Sequence, residues 1–119
     1  MASQRMIRIN EEIKREISET IKLGLKDPRV QDVLVSIVSV DATNDLKTAK
    51  VYVSVLAEDD KKEEVMDGLR AAGGYIRREI ARKINLRNTP ELLFELDNSI
   101  EYSAKMFKKI DEVMKESGK

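Results

Sequence analysis

The sequence predicts an α+β fold in one domain, with elements in the order helix, strand, strand, helix, helix, strand, helix. Three observations carry that reading. Ile9, Ile13, Ile17 and Ile21 recur at intervals of four among charged residues. Two β-branched runs, Val33 to Val40 and Ala49 to Leu56, flank a polar stretch. A later helical pattern is cut by Gly73-Gly74. A length of 119 residues suits a single core. The domain is taken as residues 1–119, with flexible ends at about 1–4 and 116–119.

The isoleucine series marks an amphipathic helix that ends near Gly24, and Asp27-Pro28 is its exit. In the second valine-rich run Val51, Val53 and Val55 fall on one face and Lys50, Tyr52 and Ser54 on the other, which predicts a sheet covered on one side. The two runs are expected to pair as a hairpin. Asp60 with Glu63 has the spacing of an N-terminal capping box for a helix through Val65, Met66, Leu69 and Ala72. Two adjacent glycines would each cost an unbroken helix about 1 kcal/mol, so Gly73-Gly74 reads as a kink or tight turn. A positive φ at either would redirect the chain. Beyond it Ile76, Ile80 and Ile84 form an apolar stripe. Leu92 to Leu96 is a third strand, and Ser99 caps a last helix with Ile100, Ala104, Phe107, Ile110 and Met114 on its apolar face.

Composition narrows the function. Apolar residues make up 41% and charged residues 37%, with 22 basic against 22 acidic side chains. Cysteine and histidine are both absent, which removes disulfides, thiolate metal sites and the commonest general base. No cofactor is expected. No apolar run approaches a membrane span and no signal-peptide pattern opens the chain, so a cytoplasmic location is expected. With two Phe, three Tyr and no Trp, an aromatic base-stacking platform is disfavoured.

Zero net charge would argue against nucleic acid, but the charge is unevenly placed. From Arg70 to Arg87 there are six basic residues and one acid; from Glu58 to Asp67 six acids and two bases; from Glu91 to Glu101 four acids and no base. One basic segment between acidic flanks gives a one-sided field that steers a polyanion to one face. A solvated helix face is the bland alternative. Arg70, Arg77, Arg78, Arg82, Lys83 and Arg87 are the candidate RNA contacts, because a guanidinium fork matches phosphate. Arg70 and Arg87 could equally pair with Glu79 or Glu91. Tyr75 is the one aromatic placed to stack on a base, with core packing the competing role. Arg5, Arg8, Lys14 and Arg15 near the N-terminus, and Lys105, Lys108 and Lys109 near the C-terminus, are scattered among acids and read as solubilising.

Asp41, Asn44 and Asp45 do not make a calcium loop, since Leu46 and Tyr52 stand where glycine and glutamate are needed. Asp97-Asn98-Ser99 lacks the base of a hydrolytic triad. No enzyme is expected.

The element order, with a basic helix launched from a small-residue turn, resembles a type II KH domain, three strands with helices on one face. The chain further resembles the ribosome-binding factor A family across nearly its whole length. The matching stretches are Asp27-Pro28-Arg29, Ala49 to Val55, Ala72-Gly73-Gly74, and Leu86-Arg87-Asn88-Thr89-Pro90-Glu91-Leu92-Leu93-Phe94 running into Asp97-Asn98-Ser99. KH domains carry a Gly-x-x-Gly clamp, and no two glycines here are three apart. The family replaces that clamp with Ala-x-Gly, matched by Ala72, Gly73 and Gly74. The resemblance implies a monomeric factor that binds the immature 30S subunit and its 16S rRNA and assists late maturation, with a link to cold adaptation. It names an assembly GTPase as a candidate second partner. The alternative is a KH-like protein-interaction module that has lost nucleic-acid binding.

Overall fold

The computed structural model describes residues 3–31 and 33–97. Within them the elements are α1 (Gln4–Lys22), β1 (Leu34–Ala42), β2 (Thr48–Leu56), α2 (Asp59–Ala71), α3 (Gly73–Lys83) and β3 (Glu91–Leu96). This is the expected α+β, KH-like order as far as β3. The expected last helix, from Ser99, lies outside the described residues.

Helix α1 starts where the Ser3 side chain accepts a hydrogen bond from the Met6 N–H at 3.2 Å, and stops where Gly24 turns left-handed at φ 101°. Its stripe of Met6, Ile9, Ile13 and Ile17 is buried, and Asn10 Oδ1 accepts the Ala42 N–H at 2.9 Å, tying α1 to the end of β1. The sheet order is β1-β2-β3, with β1 antiparallel and β3 parallel to β2. A parallel neighbour requires a crossover, and α2 and α3 supply it.

The valines sort as their alternation predicts. Ala49, Val51, Val53 and Val55 point into the core with Ile37, Val40, Ala42 and Phe94, while Lys50, Leu93 and Glu95 lie exposed on the other face. Helix α1 packs on β1 and α3, and α2 and α3 pack on β3, so the helices cover one face. Ile13, Ile17, Val65, Leu69, Ile76 and Ile80 are completely buried at this layer boundary. Strict alternation would put Ser39 and Asp41 of β1 on the same side as Ile37. A bulge prevents this: Ile37 pairs with Val53 and Ser39 with Tyr52, leaving Val38 as an extra residue that resets the parity.

Three expectations change. Asp60 is not an N-cap: α2 begins two residues earlier than such a cap requires, after Glu58, without a side-chain cap bond, and Asp59 and Asp60 instead place carboxylates at the positive end of the helix dipole. Neither Gly73 nor Gly74 has a positive φ; the described positive values are those of Gly24 and Leu46. The chain turns at Ala72, φ −83° and ψ −2°, and both glycines are already helical. The polar stretch between the strands is shorter than expected, and Leu46 within it is left-handed at φ 57° yet only 2% exposed, its burial offsetting an unfavourable backbone.

Candidate nucleic-acid interface

Helix α3 is divided by what each side meets. Ile76 and Ile80 enter the core. Glu79 and Lys83 turn toward α1, where Lys83 Nζ lies 3.1 Å from Glu16 Oε1 and 3.9 Å from Glu79 Oε2. Arg77 turns toward the loop before β3 and donates twice to the Thr89 carbonyl, from Nε at 3.1 Å and Nη2 at 2.8 Å. Tyr75, Arg78 and Arg82 face outward, at spacings that line them along one flank.

The six candidate cations therefore fall into three states. Arg78 and Arg87 are exposed and make no ion pair or hydrogen bond with any described residue. Arg82 pairs with Glu79 at 3.0 Å, and Arg70 lies 3.5 Å from Asp67 and 3.4 Å from the part-buried Phe94 carbonyl; the two exposed ion pairs contribute about 0 to 1 kcal/mol each and yield readily to a phosphate. Arg77 and Lys83 each make two contacts within the fold. Arg77 anchors the loop whose other side is fixed by the Glu91 N–H donating to Lys47 O at 3.0 Å, with Pro90 buried beneath. That loop presents Arg87.

The turn places Ala72, Gly73 and Gly74 beside this flank. No described residue lies within 4 Å of where a Gly74 Cβ would stand, so the described fold leaves the turn open to approach. Tyr75 is 47% exposed, which excludes a core role. It borders a hollow of about 650 Å³ shared with Ala71, Ala72 and the Gly24 to Pro28 loop. That loop is braced by Asp27, whose carboxylate accepts from Arg29 N–H at 2.9 Å and from Arg29 Nη2 at 2.6 Å. The side-chain bond from Arg29 is the main reason the Asp27 carboxyl sits at about 2, well below the ordinary 3.8. Asp27-Pro28-Arg29 is thus a brace that presses Val30 onto α2 at Gly68.

Two residues set aside as solubilising are brought to the site. Arg8 and Arg15 of α1, with Glu12 and Glu16, face Lys83, Ile84 and Asn85 across a hollow of about 450 Å³. The seven-residue spacing of the arginines, on the side of the helix that holds Glu16, was the available signal. Among the described residues no group of acidic side chains is arranged to hold a metal ion, and no helix is long and apolar enough to cross a membrane.

Comparison with known proteins now adds identity to geometry. The family model described as ribosome-binding factor A matches residues 5–110. Ribosome-binding factor A of Acetivibrio thermocellus is 54% identical over 109 residues, covering 92% of this chain and 88% of that protein; that of Agathobacter rectalis is 52% identical over 109 residues, covering 92% and 89%. The solution structure of a Thermotoga maritima protein described as a putative ribosome binding factor A superposes with a TM-score of 0.69 at 30% identity, covering 80% of this chain and 89% of that one. A Thermus thermophilus ribosome binding factor A homology model, fitted into the cryo-EM map of a 30S complex, gives 0.60 at 27% identity, covering 75% and 91%. The chain belongs to the ribosome-binding factor A family.

Proposed function

We propose that this protein binds the immature small ribosomal subunit in the cytoplasm as a monomer, contacts its 16S rRNA through the outward flank of α3, and assists late maturation of that RNA, most importantly in the cold. The observation that carries the reading is the pair Arg78 and Arg87, exposed cations that the described fold leaves without partners, beside an open turn. The fitted 30S complex of the Thermus relative supports the same partner. Arg82 and Arg70 join when phosphate displaces their carboxylates, whereas Arg77 and Lys83 hold the surface in place. The action is differential binding: a protein that favours one arrangement of the RNA shifts the population toward it, and no bond is made or broken. Dissociation before translation is then a separate event, for which an assembly GTPase is a natural driver.

Co-sedimentation with small subunits across a salt series tests this. Wild-type binding should weaken steeply as salt rises, because each phosphate contact releases counterions. Arg78→Glu with Arg87→Glu should abolish binding with little change in melting temperature, since neither side chain supports the fold. Cells relying on that variant should accumulate 16S precursor, most at low temperature. A folded double variant that binds normally would shift the reading to a protein-interaction module.

A further inference from the structure

The cleft between α1 and the end of α3 is unused by that reading. Its floor is Glu16, a residue only 8% exposed, whose charge is answered by Lys83 at 3.1 Å. The contact is ionic and not an aligned hydrogen bond, for Glu16 Oε1 has no hydrogen-bond donor. Lys83 is thereby held at the mouth of the cleft, its side chain 37% exposed. On the opposite wall stand Arg8 and Arg15. Glu12 is four residues from Arg8 and three from Arg15, the spacings at which helical pairs form, yet neither arginine pairs with it or with any other described residue. With Glu16 answered by Lys83, Glu12 is the one other acid lining the hollow against two guanidinium groups, and Glu11 and Glu19, also within a turn of these arginines, make no ion pair with them.

We infer that the RNA track does not end on α3 but crosses this cleft, and that Arg8 and Arg15 hold the phosphodiester backbone of the same RNA. The inference rests on the RNA-binding reading above. Seven residues of helix rise separate the two arginines by about 10 Å, a spread that suits a linear polyanion better than a single small anion. Continuity favours the same ligand: Lys83 adjoins Arg82 on α3, and Asn85, on the cleft wall, opens the loop that carries Arg87. Charge that looked scattered along α1 thus joins the charge concentrated on α3 once the two helices pack.

The test uses the full chain and purified small subunits, reading the slope of log Kd against log salt. Arg8→Gln with Arg15→Gln retains helix propensity and removes both contacts. Lys47→Gln with Lys50→Gln makes the same change in net charge in the β1–β2 turn and on the sheet face opposite the helices, away from the cleft. Affinity of the cleft variant should fall by about ten-fold, and its salt slope should shrink by about 1.4 to 1.8, as for two lost phosphate contacts. The Lys47 and Lys50 variant should stay within about two-fold of wild type. Equal behaviour of the two variants would overturn the inference. Arg78→Glu with Arg87→Glu separates the levels: if it loses binding while the cleft variant does not, the cleft alone is excluded; if neither loses binding, the RNA reading has failed as well.

Discussion

Gly68 and the Gly73-Gly74 pair lie about one and a half helical turns apart in sequence and answer to opposite constraints. At Gly68 an added methyl group would stand 2.7 Å from Val30 Cγ2 and 3.3 Å from Arg29 Cβ, because the braced loop is pressed against α2 there. Among the described residues it would meet nothing within 4 Å at Gly74, and at Gly73 only the Phe94 ring edge at 3.9 Å. All three glycines are helical, so backbone freedom distinguishes none of them. What differs is the neighbour: at Gly68 it is the protein itself, and at the turn it is open space. Glycine at 68 therefore serves packing, while at 73 and 74 the folded chain makes no steric demand for it.

The largest effect that would test this contrast is at the packed position. Gly68→Ala should lower stability by about 1 to 3 kcal/mol, as overpacking does where a buried β-branched side chain cannot retreat; chemical denaturation checks it, and a neutral result would mean that the brace is loose. Acid probes the same junction less severely. Because the folded Asp27 carboxyl lies at about 2, below its unfolded value near 3.8, its contribution is present above pH 4 and lost as pH falls through 2. Stability should decline across that window, and Asp27→Asn should decline less. The smallest effect belongs to the open turn. Gly74→Ala should raise stability by up to about 0.5 to 1 kcal/mol while weakening subunit binding, since a Cβ there keeps a phosphate from approaching the turn. Higher melting temperature with unchanged binding would remove the turn from the interface.

The same contrast shows what a sequence can disclose. The isoleucine stripe of α1 and the alternating valines of β2 were legible because periodicity is local. The basic segment was legible too, but not the division of its members. Whether Arg77 reaches phosphate or Thr89 depends on where a loop twelve residues away comes to rest. Gly68 gave no local sign, since Val30 meets it only after α2 docks on the loop. Arg8 and Arg15 look solvated until α3 packs beside them. The Asp60 cap was a spacing without a contact. Leu46 was hidden because a single apolar residue in a polar turn has no periodicity to mark it as core.

The bulge in β1 also governs how the gene can change in length. Removing Val38 would leave Val35, Ile37, Val40 and Ala42 in strict alternation, with Ser36, Ser39 and Asp41 on the opposite side, so the shorter strand keeps its inward set. Deleting Ser36 would also close the bulge, but the inward set would then be Val35, Val38, Val40 and Ala42, with Ile37 turned out to solvent. The bulge is thus the place in β1 where a codon can be lost without exchanging core for solvent, and relatives whose strand is one residue shorter should lack Val38 or its neighbour Ser39.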